Sequence, residues 1–231
     1  MARKPRFSPG GLAYHVMNRT WGNIELFQDS GDYEAFEKVL AEAVAREPGI
    51  RPCAYCLMPN HFHLVLWPKA DGRLSRFMQW LGMTHAARWH AHRRTGGRGH
   101  LYQSRFKSFA IQQDGHFLDV CRYVERNALR ANLVKRAEGW RWGSAWSRGD
   151  GSAPLSKLLS AWPVPRPVDW IERLNQPQTE AELAALRTAR DRGRPYGQER
   201  WAQRTATRLG AESSLRPIGR PEKPKTRRIG L

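Results

Sequence analysis

The chain is predicted to form an α+β domain of the ferredoxin-like, split βαβ type, with one antiparallel sheet and helices packed mainly on one side. Three observations predict it. Short β-rich runs alternate with amphipathic helical stretches in the order β-α-β-β-α-β-α. The turn pair Pro59-Asn60 joins the second and third β runs as a hairpin. With 231 residues and 40% hydrophobic content, the chain can bury one core of average domain size with an appendage left over.

Residues 12–18 read as a strand with Tyr14 and Val16 on one face and His15 and Met17 on the other. Residues 32–46 read as a helix, because Phe36, Val39, Leu40 and Ala43 recur at helical spacing, and Glu47-Pro48-Gly49 ends it. Residues 51–58 and 61–67 are the two strands of the hairpin. A long basic helix starts with Leu74, Phe77, Met78 and Leu81 and runs to about Arg94, where the glycine-rich residues 95–99 close it. Residues 102–112 are a candidate fourth strand. Residues 114–127 are a helix whose buried stripe is Phe117, Leu118, Cys121 and Val124.

After Trp146 the composition changes. Residues 149–152 and Pro163-Val164-Pro165-Arg166-Pro167 have linker character, which divides the chain into a domain at 1–148, a linker and packing segment at 149–178, and a basic C-terminal region at 179–231. Thr179-Glu180-Ala181-Glu182 is a capping-box start for a helix reaching about Arg190, and a second short helix spans 198–209 before Gly210. Gly193-Arg194-Pro195 recurs as Gly219-Arg220-Pro221. Residues 187–231 hold 13 Lys and Arg against 4 Asp and Glu, half of the whole excess of positive charge. Such a tail suits a small helical reader or an extended arm in a minor groove; the plainer alternative is an unspecific basic tail.

Thirty-nine Lys and Arg against 21 Asp and Glu give a net charge of +18, which points to a polyanionic partner, nucleic acid first. Ten Trp and six Tyr among the arginines fit that partner, since unstacked bases lie on aromatic faces while guanidinium groups meet phosphates. No apolar run reaches the roughly 20 residues needed to span a bilayer, and the basic residues 1–7 are followed by no apolar signal segment. A cytoplasmic, nucleoid-associated location is therefore expected. Three cysteines make no even disulfide framework. Cys53-Ala54-Tyr55-Cys56 ahead of His61 and His63 invites a zinc reading, but odd spacing along a strand would send the two thiols to opposite faces, and Ala-Tyr is poor turn chemistry.

The chemistry-bearing stretch is Met58-Pro59-Asn60-His61-Phe62-His63-Leu64-Val65-Leu66. Residues i and i+2 share one face of a strand, so His61 and His63 could grip one cation together. Two ligands do not make a site. The candidate for the rest is Arg122-Tyr123-Val124-Glu125-Arg126-Asn127, in which Tyr123 and Asn127 lie four apart on one helix face. A phenol beside a metal is a possible nucleophile. Taken singly, His-x-His is also compatible with a structural pair, Tyr123 with a packing aromatic and Asn127 with a helix C-cap.

Pro59-Asn60-His61-Phe62-His63, then Gln103-Ser104-Arg105-Phe106-Lys107-Ser108, then Tyr123-Val124-Glu125-Arg126-Asn127-Ala128-Leu129-Arg130-Ala131, resemble in order the motifs of the single-tyrosine HUH transposases, and among them the REP-associated tyrosine transposases. The likeness runs from about Tyr14 to Trp146, and the Gly-Arg-Pro elements resemble that group's C-terminal region. It implies that His61, His63 and Asn127 hold a divalent metal and that Tyr123 attacks DNA. One departure is visible: the family usually has Asn-Pro-Val-Arg where this chain has Asn127-Ala128-Leu129-Arg130, and without the proline the helix should continue further.

A tyrosine hydroxyl is a weak nucleophile at neutral pH and needs a base, a cation or a polarised electrophile. A divalent ion on the scissile phosphate would supply the last. Neutral imidazoles with an amide oxygen suit Mg²⁺ or Mn²⁺ in a nuclease, although histidine by itself favours Zn²⁺ or Ni²⁺. The expected product is a 5′-phosphotyrosine with a free 3′-OH, so the activity implied is single-stranded DNA cleavage and strand transfer at hairpin-forming repeats. Arg105, Lys107, Arg122, Arg126 and Arg130, with Arg194 and Arg220 in the tail, are the candidate DNA contacts. A monomer is expected, with a dimer as the alternative. A non-catalytic DNA-binding regulator is the alternative; an RNA-binding sheet lacks the aromatic signature of the common RNA module.

Overall fold

The computed structural model describes residues 7–216, apart from 23, 98 and 152. Four strands, β1 (Ala13–Arg19), β2 (Ile50–Met58), β3 (His61–Pro68) and β4 (Lys107–Ile111), form one antiparallel sheet in the order β2-β3-β1-β4. Helices α1 (Ser30–Arg46) and α2 (Arg73–His92) supply the two crossovers. This is the expected split βαβ arrangement, and β3 lies inside the sheet, paired with both β1 and β2.

The strand pattern separates two cores. Tyr14, Val16, Tyr55, Leu57, Phe62, Leu64 and Leu66 point to one face, where Phe36, Leu40, Phe77 and Leu81 of α1 and α2 cover them. Asp29 caps α1 by accepting from the Asp32 amide, and Asp32 in turn holds Arg93 through two hydrogen bonds of 3.0 and 2.5 Å.

The opposite face is not open, as expected from the sequence, but carries a second core. Ala13, Ala54, Cys56, Val65, Phe109 and Ile111 are covered by Phe117, Val120, Cys121 and Val124 of α3 (Gly115–Glu125), by Trp170 and Leu174 of α6 (Trp170–Asn175), and by Leu183, Leu186 and Ala189 of α7 (Glu180–Arg192). The amphipathic α3 and α7 have apolar stripes that must be buried, and this sheet face is what they find. The segment 149–178 is therefore tied down: Trp162 Nε1 donates to the Cys53 carbonyl at 2.7 Å and Trp170 Nε1 to Glu125 at 2.7 Å. The boundary expected at 178 does not separate a free tail, because α7, starting at the expected capping box of Thr179 and Glu182, is part of the core. After α7, Tyr196 extends the sheet by pairing with β4: its N–H donates to Ala110 O and its carbonyl accepts from Gln112 N, both at 2.9 Å. Helix α8 (Glu199–Leu209) follows.

Three further expectations change. The fourth strand is shorter than residues 102–112, since Ser104 and Arg105 turn away and only Tyr102 makes an isolated bridge to Thr20. The two cysteines do not point to opposite faces, because a register shift between Pro52 and Ala54 inserts a bulge at Cys53 and leaves both thiols buried in the second core. The helix expected over 114–127 is divided: α3 ends at Glu125, Arg126 tightens the turn, and a short α4 (Asn127–Arg130) continues, ended by Asn132 in the left-handed conformation with φ 57°. Asn127 is thus not a C-cap. A short α5 (Ser144–Gly149) completes the set, and no helix among the described residues is long and apolar enough to cross a membrane.

Candidate active site

The second core ends, at the end of the strands nearest the Pro59-Asn60 turn, in a cluster of polar side chains. Parity fixes which residues enter it. Met17 pairs with His63 and Arg19 with His61 across β1 and β3, and Cys56 pairs with His63 across β2 and β3, so His61 and His63 share the face that α3 covers. Their ring centroids are 5.0 Å apart. Tyr123, in the last turn of α3, meets the His63 ring edge-on at 5.8 Å. The tyrosine is 4% exposed, His63 1% and Asn127 6%, whereas His61 is half-buried.

Both histidines have their Nδ1 atoms engaged. His61 Nδ1 lies 2.6 Å from Asn60 Oδ1, an acceptor, so that nitrogen carries the proton and Nε2 the lone pair. His63 Nδ1 lies 2.8 Å from His15 Nε2. Burial, and then the arginines around the cluster, hold His61 down to about 3; burial, then the neighbouring His61 and His15, hold His63 well below the usual histidine range, and burial also takes His15 to about 3. All three imidazoles are neutral at physiological pH. A second-layer partner on Nδ1 and a free Nε2 is the state in which imidazole binds a metal.

The remaining polar groups surround the phenol. Arg130 stacks its guanidinium 4.3 Å over the Tyr123 ring and donates to Asn127 Oδ1 at 2.8 Å, leaving Asn127 Nδ2 buried without a partner. Arg190, from α7, donates to the Tyr123 hydroxyl at 3.4 Å. Among the described residues no three His, Cys, Asp or Glu side chains could hold a metal together. A cation here would therefore depend on His61, His63 and a donor of another type. The Asn127 amide oxygen has the right chemistry for that donor, but Arg130 occupies it at 2.8 Å and would have to release it; the unpartnered Nδ2 is a hydrogen-bond donor and cannot ligate a cation.

The other sequence-derived candidates fall apart from this cluster to different degrees. Arg105 is exposed, and Lys107 is exposed and ion-paired with Asp191 at 2.9 Å; both line a pocket of about 160 Å³ shared with Arg19 and Arg190. Arg122 directs its donors to the carbonyls of Arg173, Gln176 and Pro177, which ties α3 to the segment before α7. Arg126 has a buried, unpartnered Nε, and Arg194 pairs with Glu199 at 3.0 Å. Arg220 lies outside the described residues. The sequence leaves open whether His15 or His100 assists the site: His100 is exposed, whereas His15 belongs to the cluster, as does Arg190, which the sequence did not single out. Parity with Met17 could have pointed His15 toward the His63 face; nothing local marks Arg190.

The chain matches the family described as "Transposase IS200 like" over residues 10–127. None of the curated proteins matches it. Among solved structures, that of a REP-associated tyrosine transposase bound to a REP hairpin is similar, with a TM-score of 0.51, 16% identity, and coverage of 72% of this chain and 95% of the other. A structure described as a transposase from Deinococcus radiodurans R1 gives a TM-score of 0.37 and 17% identity, covering 57% of this chain and 92% of the other.

Proposed function

Because the chain belongs to the IS200-like transposase family, we propose that this DNA transposase cuts and rejoins single-stranded DNA at hairpin-forming palindromic repeats through Tyr123. The observation that carries the reading is the convergence of Tyr123 with His61 and His63, the phenol edge-on to His63 at 5.8 Å while Arg130 covers its ring. Hairpin DNA as substrate is supported by the similar solved structure, which holds one.

His61 and His63 would hold Mg²⁺ or Mn²⁺ through their Nε2 atoms, with the Asn127 amide oxygen as third donor. When bound, such an ion stabilises the charge that builds on the scissile phosphate. The protein's own groups do the rest. Tyr123 Oη forms a bond to phosphorus while the bond to the 3′ oxygen breaks. The phenol proton leaves through solvent and the 3′ oxygen gains one, so the products are a 5′-phosphotyrosine and a 3′-OH. A different 3′-OH can reverse the step, which gives strand transfer. Arg105 and Lys107 would steady neighbouring phosphates.

The test is an adduct assay with an end-labelled single-stranded hairpin in Mg²⁺ or Mn²⁺. A covalent protein–DNA band is expected for the unaltered protein and its complete loss in Tyr123→Phe. The low exposure of Tyr123, 4%, favours a second reading, a DNA-binding regulator that keeps the fold without the chemistry. Hairpin binding without any covalent band would establish it.

A further inference from the structure

Family likeness accounts for His61, His63, Tyr123 and Asn127 but not for Arg190, which lies 63 residues beyond the end of the matched segment. We propose that Arg190 is a catalytic cation of the cleavage centre, holding the Tyr123 hydroxyl and offsetting the negative charge that develops on it and on the attacked phosphate. The inference deepens the reading of Tyr123 as nucleophile and rests on it.

Three observations carry it. Arg190 Nη1 is the hydrogen-bond partner of Tyr123 Oη among the described residues, at 3.4 Å. Its aim is fixed from behind: Asp191 accepts from Arg190 Nε at 3.1 Å and from Nη2 at 2.8 Å, the two-pronged geometry that leaves only Nη1 to face the phenol. Asp191 is itself held by Lys107 at 2.9 Å, so β4 and α7 lock the fork together. Finally, Arg190 also lines the pocket of about 160 Å³ that it shares with Arg19, Arg105 and Lys107. One guanidinium thus bridges the buried phenol and a solvent-facing basic recess where a phosphodiester chain can lie.

The roles of the two arginines at Tyr123 then differ. Arg130 lies on the ring face and reaches the backbone carbonyl and Asn127, so it orients. Arg190 touches the reacting oxygen. In the cleavage step Arg190 gains and loses no bond; its positive charge compensates a dianionic, five-coordinate phosphorus more than the monoanionic ground state.

The experiment is single-turnover adduct formation with saturating hairpin DNA and Mn²⁺, alongside DNA affinity measured without metal by fluorescence anisotropy. Arg190→Ala should slow adduct formation by about 10²- to 10³-fold, as loss of one transition-state donor does elsewhere. DNA affinity should change by less than about threefold. Arg190→Lys should recover part of the rate, and millimolar guanidinium should raise the rate of Arg190→Ala but not of the unaltered protein. If Arg190→Ala does not fold, Arg190→Lys together with Asp191→Asn, which frees the fork, carries the test, and both should slow the saturated rate. An unchanged or faster saturated rate in the Arg190 variants overturns the proposal, as does a loss confined to DNA affinity. If the unaltered protein itself forms no adduct, the nucleophile reading falls and this one with it; an adduct that depends on Tyr123 but not on Arg190 removes this proposal alone.

Discussion

In the proposed centre, the contact between His15 Nε2 and His63 Nδ1 is where one side chain bears most directly on another. In the proposed metal site His63 would offer Nε2 only in the tautomer that carries its proton on Nδ1, and His15 Nε2, 2.8 Å away, is the atom that would accept that proton's hydrogen bond. His15→Ala should therefore raise the Mn²⁺ concentration needed for half-maximal adduct formation by about 10- to 100-fold, with the metal-saturated rate less affected. A titration of adduct against Mn²⁺ reads this directly. His85 makes a different prediction. It is buried against the rings of Phe27 and Phe36, and its Nδ1 is hydrogen-bonded with the Tyr102 hydroxyl at 2.7 Å. Burial lowers it to about 4, with Arg93 adding to the effect and Asp32 opposing it. An imidazole that titrates lower in the folded chain than in the unfolded one stabilises the fold above about pH 6.5, and that contribution is lost as pH falls towards 4. The expected loss at pH 5 is about 2 kcal/mol, and His85→Gln should shrink the difference in urea midpoint between pH 7.5 and pH 5.

At the level of elements, α7 is the one whose role the sequence pointed away from. Its basic residues suggested a DNA-holding arm, yet Leu183, Leu186 and Ala189 are buried against the sheet and α3. Leu186→Ala should cost about 2–5 kcal/mol, seen as a large drop in thermal midpoint, and ending the chain near residue 178 should expose the second core rather than remove only a DNA-binding arm. The apolar stripe was readable, since Leu183, Leu186 and Ala189 recur at helical spacing; charge and the nearby prolines outweighed it. Elements whose pattern was local were legible: the order of strands and helices, the hairpin at Pro59-Asn60, the capping box at Thr179. What depends on partners was not. The bulge at Cys53 follows from how β2 pairs with β3, and the coverage of the second face is completed by α6 and α7, remote in sequence from every strand they cover. The same division holds for the candidate site, where motif spacing found His61, His63, Tyr123 and Asn127, while His15 and Arg190 needed the tertiary arrangement.

For the molecule as a whole, positive charge is distributed so that most of it meets solvent. Arg200, Arg204 and Arg208 recur every four residues along α8, all exposed and without an ion pair among the described residues. At the rise of a helix they span about 12 Å, comparable to the reach of two successive phosphate steps. Replacing all three by Gln should reduce the slope of log affinity against log salt by about 2 for single-stranded hairpin DNA, leaving the adduct rate at saturation nearly unchanged. An unaltered slope would place the electrostatic footprint elsewhere.

The pairing of Tyr196 with β4, together with the burial of α7, also sets a clock on synthesis. The strands and helices through Arg130 can leave the ribosome early, but the face that carries His61, His63 and Tyr123 cannot close until residues 183–196 have emerged as well. A partly made chain therefore holds the residues of the proposed centre without the packing that aligns them. If the proposed centre cuts DNA, it can do so only after residues 183–196 have been made, and a product terminated before them that retains every motif residue should be unable to use them.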